Sequence, residues 1–103
     1  MSRLLPFTPV DGSNKVLAAT DSTQNQVLDT DGDQLLVVNV SGDVAHVALV
    51  TSAAGTATTA DTPVANGESR IITRSPDLHT HVACILTSGA GGGNVHFCTG
   101  HGE

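Results

Sequence analysis

Five histidines, two cysteines and ten acidic residues are what this 103-residue chain offers for chemistry. His79-Thr80-His81 has the spacing that points two imidazoles to one side of a strand, the opening half of a metal site. Such a site is completed by a carboxylate three or four residues further on and by a distant third histidine. Those two positions hold Cys84 and Ile85. His46, His96 and His101 add no second motif, so the histidines read as surface or interface groups and no metal ligand is assigned. Asp29-Thr30-Asp31-Gly32-Asp33 has the alternating acids of a calcium loop. An EF-hand, however, needs Gly at its sixth position and a bidentate Glu at its twelfth, and here these are Gln34 and Val40. The segment reads as a turn with solvated acids.

Nucleophilic chemistry finds no better footing. Cys84 and Cys98 have histidines nearby in sequence, but no motif fixes a base beside either thiol, and G-x-S-x-G is missing. The glycine-rich Gly89–Gly93 precedes a strand rather than a helix, so it cannot set a phosphate on a helix N-terminus. The apolar run near Leu4–Phe7 is too short for a secretory signal, which implies a reducing compartment and two free thiols. A bridge stays geometrically open, because a five-residue hairpin over Gly89–Gly93 would place Cys84 and Cys98 opposite each other. The expectation is a protein that is not an enzyme and takes no cofactor.

Charge narrows the partners. Four basic residues (Arg3, Lys15, Arg70, Arg74) against ten acidic ones give a net charge of −6. No basic patch could displace counterions from a phosphate backbone, and with two Phe, no Tyr and no Trp there is little to stack on a base. Neither nucleic acid nor a membrane is an expected partner, since no stretch approaches the 18 apolar residues of a spanning helix.

The elements that must position these residues are strands. Val, Thr, Gly, Ala and Ser dominate, a mix that favours pleated sheet and turns. Residues 1–25 read as an N-terminal arm punctuated by Pro6, Pro9 and Asp11-Gly12, with Lys15–Ala19 as one short strand. Residues 26–103 read as the folded domain. Within it, Gln34–Ser41 and Val44–Thr51 flank Gly42-Asp43 as the best hairpin, and Asn66-Gly67 marks a turn into the strand Glu68–Arg74. Thr80–Thr87 and Asn94–Thr99 flank the glycine-rich turn. Ser52–Asp61 is small and uncharged until its end, and is expected to be an exposed loop. Period two makes Val95 and Phe97 a core pair and suggests Leu36, Val38 and Val40 as a core triplet. Turns every 8–12 residues and no helical periodicity predict an all-β, antiparallel sandwich, jelly-roll-like, with an extended N-terminal arm.

The order of the later segments carries a resemblance. Gln34–Val40 (Gln-Leu-Leu-Val-Val-Asn-Val) is followed by Val44–Val50, then Ala60-Asp61-Thr62-Pro63-Val64-Ala65-Asn66-Gly67, then His79-Thr80-His81-Val82-Ala83, and last Val95–Gly102. Over residues 26–103 this order resembles small all-β virion proteins of tailed bacteriophages, of the capsid decoration or cement type. The resemblance implies a jelly-roll-like domain that binds the outer capsid surface and stabilises the shell. It further implies the major capsid protein as partner, a homotrimer, and a virion location for a chain made in the host cytoplasm. No catalytic or cofactor residue is implied, because such proteins act through surfaces.

The arm supplies the candidate capsid or subunit contacts Arg3, Leu4, Leu5 and Phe7, with Ser52–Asp61 as a second contact segment. The scarcity of large apolar residues fits a chain that completes its core against other copies or a shell. The alternative is a head-fibre or tail-tip knob that binds a receptor or glycan, although sugar sites stack on aromatics and only Phe7 and Phe97 exist. A cupin-like metalloenzyme is the third reading and lacks its carboxylate.

Overall fold

The computed structural model describes residues 8–75, 77–87 and 89–101. Nine strands follow in order: β1 Thr8–Pro9, β2 Lys15–Ala19, β3 Gln24–Val27, β4 Gln34–Asn39, β5 Ala45–Val50, β6 Thr62–Val64, β7 Ser69–Thr73, β8 His81–Leu86 and β9 Gly93–His101. All pairings are antiparallel. In the first sheet β9 and β4 are the central strands, with β7 on one flank and β1 and β2 sharing the other edge of β9. The second sheet runs β3-β8-β5-β6. Stacked, they form a small β-sandwich, and its strand order is that of a jelly roll.

The tight turns do not make hairpins. β4 and β5 lie in different sheets, as do β6 and β7, and β8 and β9. Gly42-Asp43, Asn66-Gly67 and Gly89–Gly93 therefore carry the chain across the sandwich instead of back along the same sheet. The consecutive strands that pair with each other are β5 and β6, joined by the longest connection, residues 51–61. Turn chemistry specifies a reversal but not the sheet that receives the next strand; that is settled by which arrangement buries the apolar faces.

Asn39 shows how one such crossing is held. It is fully buried at the end of β4, and its Nδ2 donates to Asp43 O (2.7 Å) and Val64 O (2.8 Å). Its Oδ1 accepts from Ser41 N (3.0 Å) and Ser41 Oγ (2.7 Å). The backbone of Asn39 also bonds to Glu68 O and Gly67 N. One side chain thus ties two corners together with all its polar atoms satisfied.

The core lies between the sheets. Phe97 is its largest member, surrounded by Leu35, Val37, Val95, Val64, Val82, Cys84 and Leu86, all fully buried. Val95 and Phe97 take the expected inward positions. The expected triplet does not: Leu35, Val37 and Asn39 of β4 point inward, so Leu36 and Val38 face out, and Val40, just past the strand, is exposed. The run Leu35–Val38 is apolar at both parities, so period two could not choose, and the corner bonds of Asn39 decide.

Residues 8–25 do not form a free arm. β2 pairs with β9 from Lys15↔Phe97 to Ala19↔Gly93 and buries Leu17 and Ala19 in the core, while β3 begins at Gln24 as an edge of the second sheet. Between β1 and β2 the ladder along β9 is interrupted, and the buried Ser13 hydroxyl bridges the gap. It donates to Thr99 O (3.1 Å) and accepts from Thr99 N (3.2 Å). The sandwich therefore includes residues ahead of 26, among them β2 and the start of β3.

Candidate functional site: an uncharged sheet face

The chemistry-bearing residues are dispersed. His46 sits on β5 opposite Ile85, with its Nδ1 3.3 Å from Asp61 O. His79 precedes β8 and turns back, its Nδ1 accepting from Ser75 N (2.9 Å). His81 opens β8, and its Nδ1 lies 2.8 Å from Thr80 Oγ1. The H-x-H pair is thus split between a turn and a strand. His96 is on the other sheet, and His101 reaches Asp31 at 3.1 Å. Among the described residues no three His, Cys, Asp or Glu side chains gather as a metal site.

The acidic turn Asp29–Asp33 is closed by a guanidinium. Arg74 is 3% exposed; its Nε donates to Gly32 O (2.9 Å) and its Nη2 to Asp29 O (2.5 Å). Burial lowers the pKa of Arg74, and the nearby Asp29 and Asp31 carboxylates oppose that shift. The cation that this loop accommodates is its own arginine. Gly32, at φ 100°, lies so close to β9 that a Cβ would come within 2.8 Å of the Gly100 backbone.

The cysteines are free and face different ways. Cys84 points into the core from the second sheet, and burial pushes its thiol up to about 12. Cys98 lies on the outer side of the first sheet, half-buried, its Sγ 3.3 Å from Ser13 Oγ. The bridge that a β8–β9 hairpin would have allowed is ruled out because those strands do not pair.

Two concavities are formed by described residues. A cavity of about 250 Å³ between the sheets is walled by Leu35, Val47, Leu49, Ile72 and Val82, with Asp61 and Thr62 also lining it. The Asp61 carboxylate is occupied, accepting from Thr58 N at 2.7 Å. A groove of about 360 Å³ follows Pro9–Asn14 and ends at Cys98. Neither gathers convergent polar groups of the kind that orient a substrate.

The two outer faces of the sandwich differ most. Over the second sheet the chain lays its own loop 51–61. Asn25 Nδ2 donates to Gly55 O (3.0 Å), and Ala57 N donates to Thr23 Oγ1 (2.9 Å). Gly55 packs against Val50 so tightly that a Cβ there would lie 2.3 Å from Val50 Cβ. Ala83, in the middle of that face, is fully buried as a result. The segment expected to be an exposed loop is an anchored cover, most of its side chains outward and Ala57 tucked in.

Among the described residues, none covers the outer face of the first sheet in this way. β4 presents Leu36 and Val38 there, with Val40 just past its end, and β9 presents Asn94, His96 and Cys98. Flanking them, β2 contributes Val16 and β7 contributes Ile71. Val16 is 49% exposed and Val40 54%. No Asp, Glu, Lys or Arg occupies an outward position on these strands, in a chain of net charge −6. A contiguous, uncharged, partly apolar face is the signature of a macromolecular contact surface. The candidate contacts Arg3, Leu4, Leu5 and Phe7 lie outside the described residues.

No family model, no curated protein and no solved structure matches this chain.

Proposed function

We propose that this chain is a bacteriophage virion structural protein of the capsid decoration or cement type, acting through its surfaces on the outside of a shell. The observation that carries the reading is the bare, uncharged outer face of the first sheet, set against a second sheet that the chain covers itself. Such a surface is used by a protein whose work is to pack against other proteins. The strand order supports the same reading, since jelly rolls recur among capsid domains, and so does the motif order over residues 26–103. Copies of the chain, three on the implied arrangement, add interface area between capsomers. Binding that favours the assembled shell over its separated parts stabilises the shell by mass action. The major capsid protein is the partner, and the arm residues Arg3, Leu4, Leu5 and Phe7 together with the loop Ser52–Asp61 are the segments offered to it.

The test is direct. Purified protein added to capsids of the encoding phage assembled without it is expected to bind saturably and to raise their melting temperature. Capsids that neither bind the protein nor change their melting contradict the proposal.

A further inference from the structure

We infer that the cavity between the two sheets is a binding site for a small aryl- or alkyl-ammonium ion, its apolar part held between the sheets and its ammonium group at Asp61. The site stands apart from the outer face of the first sheet and does not depend on the reading of the chain as a capsid protein.

Strand length makes the cavity. β6 closes the second sheet but pairs only with Ala45–Val47, so Ala48–Val50 have no strand on that edge. Leu49 beside this gap, and Ile72 across the sandwich from it, pack on the core yet stay partly exposed. The buried side chains of Leu35, Val47 and Val82 form the back wall. No described side chain fills the space of about 250 Å³. Aliphatic walls offer water no hydrogen bonds, so an apolar guest is held there where water is not. A dry apolar cavity of about 150 Å³ admits benzene, which leaves room here for a ring carrying a short chain.

The mouth sets the charge. Asp61 and Thr62 line the cavity where the loop 51–61 enters β6. Oδ2 of Asp61 accepts from Thr58 N (2.7 Å) and Thr58 Oγ1 (3.5 Å), while its Oδ1 accepts from no described residue. No Lys or Arg is among the lining residues, and the chain carries a net charge of −6. A cation at the mouth is therefore attracted and a carboxylate repelled.

Methyl-detected NMR of the full chain, titrated with 3-phenylpropylamine at pH 7, tests this. The methyl signals of Leu35, Val47, Leu49, Ile72 and Val82 are expected to shift saturably, with a dissociation constant of about 1 mM. Those of Val16 and Val38 on the outer face are expected to stay in place. 3-Phenylpropionate, of the same size and opposite charge, is expected to bind about 10-fold more weakly. Asp61→Asn keeps an oxygen for Thr58 N and is expected to reduce that preference about 3-fold or more, its remaining methyl spectrum matching wild type. Absence of saturation at 10-fold above the expected constant, about 10 mM, overturns the inference. So do shifts centred on Val16 and Val38, a carboxylate that binds as tightly as the amine, or a preference unchanged in Asp61→Asn.

Discussion

Asn39 is the residue on which the corners of this sandwich depend. Its amide group makes four hydrogen bonds, to Asp43 O, Val64 O, Ser41 N and Ser41 Oγ, and a buried polar group left without a partner costs about 1–3 kcal/mol. Asn39→Ala is expected to lower stability by about 3 kcal/mol in urea denaturation, a large share of what a domain of this size has. Cys84 gives a pH-dependent counterpart. Its thiol is held at about 12 against an ordinary 9.0, because burial disfavours the thiolate. The folded chain therefore keeps a proton that the unfolded chain releases. Its contribution is complete below pH 9 and is lost as pH rises from 9 to 12, by up to about 1.4 kcal/mol per unit. Comparing the alkaline denaturation of wild type and Cys84→Ala isolates this contribution, since the variant lacks that part of the slope. At pH 8 only Cys98 is expected to react with an alkylating agent, because Cys84 is both inaccessible and protonated.

At the scale of elements, the strands were legible and their partners were not. Lys15–Ala19 has the bounds its sequence suggests, β5, β7 and β8 fall within a residue of their expected ends, and β4 stops two residues short of Ser41, because β propensity and turn residues are local signals. Strand pairing is not local. Gly42-Asp43 and Asn66-Gly67 are hairpin turns by composition, yet each becomes a crossing once β4 is claimed by β9 and β7. The site was half-visible for the same reason. The run Gln34–Val40 carries no charge at either parity, the mark of a strand covered on both faces, but period two assigned Leu36, Val38 and Val40 to the wrong side. The loop 51–61 is mostly exposed, as its small uncharged residues suggest, but its anchoring is not legible in composition: smallness is what lets Gly55 lie on Val50. Gly55→Val is accordingly expected to lift this cover. Limited proteolysis should then cut within 52–61 several-fold faster than in wild type, with the sandwich otherwise intact.

For the whole molecule, the scarcity of aromatic residues acquires a physical meaning. Between the sheets Phe97 is accompanied by Val, Leu, Ala and Cys, so the core is thin and Phe97→Ala is expected to cost about 3–5 kcal/mol with nothing able to refill the space. Apolar side chains that could have thickened this core are instead spread on the outer face of the first sheet, where no described residue buries them. A fold whose pairings are almost all between strands distant in sequence is also expected to fold slowly, in milliseconds to seconds. On the proposed reading, burying that face on a shell adds stability that the thin core does not supply. The most direct test is calorimetry of capsids assembled without this protein, before and after adding it to saturation. The capsid transition is expected to move to higher temperature, and by less with Val38→Glu at the same concentration. An unchanged capsid transition with the wild-type protein would contradict it.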